Sequence, residues 1–165
     1  MTQPPRIPHD WLQPQWPAPA GVRALCTTRA GGVSTGPCAS LNLGSHVGDD
    51  PSAVQANRQR LQAVVQGATP GARAVFLNQV HGTAVATINP ATPDGTEADA
   101  CVATQPGAVC TIMVADCLPV LLAHGSGAVV GAAHAGWRGL AGKGGVGVLE
   151  AVFELFKALV LSDKA

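Results

Sequence analysis

Glycine (20) and proline (13) together make up a fifth of the 165 residues and recur along the whole chain. Each proline removes a backbone donor, and each glycine raises the entropic cost of a regular element. A chain punctuated this often folds into short elements joined by many turns. No collagen-like period runs through it, and its apolar runs fall far short of the roughly 18 residues needed to cross a bilayer. Hydrophobic residues reach 47%, enough to exclude intrinsic disorder, and the length favours one domain. Ten basic residues balance ten acidic ones, so there is no net positive field for nucleic acid or an anionic membrane.

Within that framework the hydrophobic pattern places the elements. Residues 1–20 form a Pro-rich lead expected to be irregular, and residues 21–165 form the domain. Val22, Ala24 and Cys26 alternate with other positions and predict a first strand. Asp50-Pro51 reads as the N-cap and first residue of a helix that buries Val54, Leu61, Val64 and Val65 and stops near Gly67. Short strands are expected over Ala74–Leu77, Thr83–Ile88, Ala100–Ala103, Val109–Val114, Val120–Ala123 and Ala128–Ala133, with a turn at Asp94-Gly95. A final helix over Val148–Leu161 carries the stripe Leu149, Val152, Phe153, Phe156, Leu159 and Val160. The fold class is therefore mixed α/β (α+β), a single domain with a mixed sheet flanked by helices.

The N-terminus lacks a basic segment followed by an apolar core, so no secretory signal is read. Cys26, Cys38, Cys101, Cys110 and Cys117 form an odd set without close pairs, pointing to reduced thiols in the cytoplasm. The run Gly142-Lys143-Gly144-Gly145-Val146-Gly147 fits G-x-G-x-x-G. However, Val148 and Leu149 follow where a P-loop needs Lys and Ser/Thr, and Asp163 is misplaced for a ribose partner. A flexible loop before the last helix is the simpler expectation.

Three metal-competent side chains close apolar segments: His81 after Phe76–Val80, Cys117 after Ile112–Asp116, and His134 after Val129–Ala133. Intervals of 36 and 17 residues are too wide for a zinc knuckle. Strand ends in open sheets do gather functional groups, and two imidazoles with one thiolate form a three-ligand zinc set with an open fourth position. By spacing alone, a hydrogen-bonded or packed core role is the commoner one for such residues. If they share a metal, their ligand atoms should lie roughly 3–4 Å apart, given bonds of about 2.0–2.3 Å.

Asn78-Gln79-Val80-His81-Gly82, Ala115-Asp116-Cys117-Leu118-Pro119 and His134-Ala135-Gly136-Trp137-Arg138-Gly139 closely resemble one family. It is the family of laccase-domain proteins, also called multicopper polyphenol oxidases and peptidoglycan editing factors. Thr27–Ser34, Leu41–Asp50, Asn57-Arg58 and Asp94–Ala100 match further parts of its signature, so the resemblance runs from about Val22 to Leu140. It implies zinc on His81, Cys117 and His134, with copper as the weaker alternative. The implied chemistry is that of a purine nucleoside enzyme: phosphorolysis of adenosine, inosine and methylthioadenosine, and adenosine deamination, with a link to peptidoglycan precursor editing. Its partners would be a small nucleoside and phosphate. Because family members continue well beyond the His134–Gly139 segment, the domain is expected to be missing or divergent after about residue 140, with its sheet incomplete there.

Zinc lowers the pKa of a bound water towards about 7, and attack on C6 of adenine is a known use of such water. Arg138 and Arg29 are assigned to oxyanion binding, since a guanidinium fork suits phosphate. Asn42 and His46 are assigned to the substrate site, and Asp116 to orienting a ligand histidine. Trp137 either stacks on a base or packs beneath the Arg138 turn. Three other readings stay open. Cys117 could be a nucleophile served by His81 or His134 in a hydrolase of peptidoglycan precursors. A copper-dependent polyphenol oxidase with Met113 as an axial ligand is the second, although the histidines are too few for a multinuclear cluster. The chain could also be an inactive remnant.

Overall fold

The computed structural model describes residues 7–162, which leaves the start of the Pro-rich lead and Asp163 outside the described residues. The chain packs as two compact units. Among the described residues, one is built from residues 7–16 and from Ala24–Gly71, the other from Pro17–Arg23 and from residues 72–162.

The first unit is organised by helix α1 (Pro51–Ala68). Asp50 caps it by accepting the Ser52 N–H at 2.8 Å, with proline in the first turn. Its inner face carries Val54, Leu61, Val64 and Val65 as expected, and Asn57 between them is fully buried. A buried amide needs all its partners. Asn57 Oδ1 accepts the Val33 N–H at 2.9 Å, while Nδ2 donates to the carbonyls of Ser40 and Asn42 and to Ser34 Oγ. One side chain thus ties the loop of residues 29–49 to the helix. The expected strand at Val22–Cys26 is absent: Cys26 makes only an isolated bridge with Leu12. Pro14, the next ladder position beyond Leu12, has no N–H to give, so the pairing cannot grow.

Among the described residues the second unit holds seven strands: β1 (Arg73–Asn78), β2 (Val85–Thr87), β3 (Thr96–Glu97), β4 (Ala100–Ala103), β5 (Ala108–Thr111), β6 (Leu118–Ala123) and β7 (Val130–Ala135). They form two sheets rather than one mixed sheet. The order β3-β1-β5 is all parallel, and β2-β4-β7-β6 is mixed, with only the β2–β4 pair parallel. Side-chain alternation along β4 shows how the layers stack. Ala100 and Val102 join one buried cluster, with Ala133, Ala135, Val148, Val152 and Phe156. Cys101 and Ala103 face the other way, onto Val75, Leu77, Ile88 and Ala98. Burial on both faces explains the continuous apolar runs of β1, β4 and β7.

Helix α2 (Trp137–Ala141) follows β7 after the single residue Gly136, and helix α3 (Val148–Ser162) covers the mixed sheet. Residues 142–147 form a tight reversal. Lys143 and Val146 exchange backbone hydrogen bonds, and Gly142 at φ +63 has no room for a Cβ against the Val146 carbonyl. Glu150 then accepts the Gly147 N–H at 3.0 Å, the acidic half of a capping box. Along α3, Val152 and Phe156 are buried and Leu149 packs beside them, but Phe153 is 51% exposed with Lys157 Nζ 5.4 Å from its ring centre. Phe153 stands about 100° around the helix from Val152, at the edge of the buried face, and turns to solvent. No described helix is long and apolar enough to cross a membrane.

Candidate metal centre

All parts of the centre lie in the second unit, on the chain leaving β1, the residue before β4, the residue before β6, and β7. Beyond β1 the chain turns sharply through Gln79–Gly82. Gln79 Nε2 donates to the Met113 carbonyl and its Oε1 accepts the Met113 N–H, both at 2.8 Å. This pair of hydrogen bonds ties the His81 turn to the segment that leads into Cys117. His81 itself adopts φ +61, a left-handed conformation uncommon for a residue with a side chain.

That conformation has a visible support. Asp99, with no exposed surface, accepts the N–H groups of Val80 (3.1 Å), His81 (2.8 Å) and Gly82 (2.7 Å). Three successive amides around one carboxylate make an anion nest. The same carboxylate, through Oδ1, lies 2.9 Å from Nδ1 of His134, and the Asp99 carbonyl accepts the His134 N–H at 2.7 Å.

The side chains of His81, Cys117 and His134 come together here. One ligand atom from each lies within 4.8 Å of the others, and Cys117 Sγ is 3.8 Å from His81 Nε2. The cysteine–histidine spacing is within the 3–4 Å expected for a shared ion, and the outer bound is somewhat wider. The imidazole rings meet edge-on, with centroids 4.6 Å apart. Burial grades across the set: His134 is buried, Cys117 half-buried and His81 exposed. A three-donor set open on one side is the arrangement of a catalytic rather than a structural zinc site. Gly136 is needed for the approach, because a Cβ there would stand 2.9 Å from His81 Cδ2 and 3.0 Å from Cys117 Sγ. Soft thiolate with two imidazoles suits zinc or copper.

The Cys117 thiol is pushed above its ordinary value, first by partial burial, then by the charge and hydrogen bonding of Asp116 and by the charge of Asp99. Asp116 is exposed and acts on this thiol, whereas the carboxylate held against a histidine is Asp99. Trp137 is 72% exposed rather than packed beneath its turn, and the Arg138 guanidinium lies 5.2 Å from its ring centre. Arg29, Asn42 and His46 belong to the first unit. Arg29 donates to the carbonyls of Ala39 and Pro37, and Asn42 donates to Asp49 and to the Gly44 carbonyl. His46 is exposed on the same loop.

Across residues 23–164 the sequence matches the family described as multi-copper polyphenol oxidoreductase laccase. The chain belongs to this family. The match runs through α3, past the last of the motifs quoted above. Among curated members, the Purine nucleoside phosphorylase of Pseudomonas aeruginosa is 53% identical over 144 residues, 87% of this chain and 55% of its own length. Purine nucleoside phosphorylase YfiH of Escherichia coli is 49% identical over 145 residues, 88% of this chain and 57% of its own. The chain therefore spans a little over half the length of these relatives. The crystal structure of a Neisseria meningitidis protein of family DUF152 superposes with a TM-score of 0.78 at 47% identity, covering 90% of this chain and 57% of that one. YlmD from Geobacillus stearothermophilus gives 0.63 at 38% identity, covering 74% and 48%.

Proposed function

We propose that the chain is a zinc-dependent purine nucleoside enzyme. Its reactions would be the phosphorolysis of adenosine, inosine and methylthioadenosine and the deamination of adenosine. The observation that carries the reading is the convergence of His81, Cys117 and His134 on one half-open site, with His134 held through Nδ1. Relatives named purine nucleoside phosphorylase, 44–53% identical to this chain, support the substrate class. Zinc held by the three side chains would supply Lewis-acid polarisation and activation of water near neutral pH.

The chain's own residues supply binding and orientation. In phosphorolysis a phosphate oxygen bonds to C1′ as the C1′–N9 bond breaks, and the departing base takes up a proton. Arg138 is the stronger phosphate partner, because it is exposed four residues after His134 and its fork is matched to a phosphate. Arg29 already donates to two carbonyls, so its proposed contact is secondary. The exposed Trp137 face beside Arg138 offers a purine a stacking surface. A cysteine-nucleophile hydrolase is the second reading, and metal content separates it from the first. The five free cysteines fit a reducing, cytoplasmic setting.

The test is release of free base and of ammonia from adenosine by the purified full chain, with and without phosphate, before and after chelation. Base release that needs phosphate, and loss of both products on chelation with recovery on zinc addition, are expected. Undiminished turnover in the zinc-free protein would refute the metal-dependent reading.

A further inference from the structure

We infer that Asp99 is the positioning residue of this centre, one buried carboxylate that sets the ligating nitrogen of His134 and the backbone conformation of His81 together. The inference builds on the metal reading above and adds a residue to which neither adjacency nor motif gave a role. Four donors converge on Asp99: the amides of Val80, His81 and Gly82, and Nδ1 of His134. The three amides can only donate, so the carboxylate acts purely as an acceptor. His134 Nδ1 must then carry the ring proton, which leaves the Nε2 lone pair free for a cation.

The second task concerns His81. A left-handed backbone at a non-glycine residue persists only where surrounding contacts over-determine it. Here the contact is Asp99, whose Oδ1 takes the His81 N–H and whose Oδ2 takes the N–H on either side. Oδ1 is therefore shared by the two histidines, joining β7 to the turn after β1 through one atom. Asp99 is not among the three donors; it acts through them.

Asp99→Asn separates positioning from plain support. The amide keeps the shape, but its NH2 group would face N–H donors, so the nest and the His134 bond cannot both survive. Two readouts apply, neither of which depends on nucleoside turnover. Zinc affinity, measured with zinc alone by competition with a chromophoric chelator, should weaken by about 10–100-fold in a folded Asp99→Asn chain. The nitrogen spectrum of His134 in the zinc-free protein, at mildly alkaline pH, should show the Nδ1–H form in the wild type and lose it in the variant. A residue that merely supports the fold would lower stability without changing that spectrum. Affinity within twofold of wild type in folded Asp99→Asn would overturn the inference, as would an Nε2–H form in the wild type. If the variant does not fold, the wild-type spectrum alone decides. If the wild type binds no zinc, the metal reading fails, while the spectrum still reports on Asp99.

Discussion

Gly136→Ala puts the geometry of the centre to a quantitative test. Gly136 sits at φ −72, ψ 156, a conformation open to any residue, so the substitution carries no backbone penalty. Its cost is steric. The new Cβ would lie 2.9 Å from His81 Cδ2 and 3.0 Å from Cys117 Sγ, whereas carbon contacts are comfortable only at about 3.5–4.0 Å. Both ligands must retreat by about half an ångström or more. Metal–ligand distances tolerate only about ±0.2 Å, so the retreat exceeds what the site can absorb. Zinc affinity should fall at least about tenfold, the scale seen when supports of metal ligands are disturbed. Overpacking of this kind destabilises by about 1–3 kcal/mol, which lowers Tm by only several degrees in a chain of this size. Chelator competition gives the affinity, and a circular-dichroism melt of the zinc-free protein gives the stability. A folded Gly136→Ala chain that binds zinc within twofold of wild type would refute the close approach of His81 and Cys117 to the β7–α2 junction.

Three further outcomes follow from the packing and the charges. Arg138→Ala should leave zinc affinity unchanged and raise the phosphate concentration needed for base release; unchanged phosphate dependence would remove Arg138 from the substrate site. Phe156→Ala should cost about 3–5 kcal/mol and Phe153→Ala much less, since one ring is buried against the sheet and the other is in solvent; equal melting shifts would contradict the orientation of α3. Asp49 lies below its ordinary pKa because Ser34 and then Asn42 donate to its carboxylate. A depressed folded value means stability that is complete above the unfolded pKa of about 3.9 and is lost as pH falls through the folded value. Asp49→Asn should flatten that acid limb of the Tm profile, and an unchanged limb would discount the pairing.

Local chemistry made much of the fold legible. The Asp50-Pro51 cap placed the start of α1, and an uninterrupted apolar run located β4, because both signals are complete within a few residues. The strand expected at Val22–Cys26 failed where a distant partner decides: the sequence around Cys26 alternates, but the segment opposite it is rich in proline. The division into a parallel and a mixed sheet was not readable, since strand direction leaves no mark on the hydrophobic pattern of a strand buried on both faces. The five-residue α2 is too short for a period to register. At the centre, His81, Cys117 and His134 were visible as metal-competent groups, and the resemblance joined them. Asp99 was not singled out, because its donors lie 17 to 19 residues before it and His134 lies 35 after it. Asp116 draws the eye instead by standing next to a ligand in sequence, a relation that tertiary structure need not respect. Gln79, another missed support, lies in a quoted motif beside Asn78, but nothing in the sequence links it to Met113, 34 residues on.

The central claim is that His81, Cys117 and His134 form one metal centre. Metal analysis of the purified full chain beside its Cys117→Ser variant tests this most directly, because a neutral serine hydroxyl is a far poorer zinc ligand than a thiolate. The account predicts one zinc per wild-type chain and loss of that zinc in Cys117→Ser, with the secondary structure unchanged. Full zinc content in Cys117→Ser, or a wild-type chain that takes up no zinc when it is supplied, would contradict it.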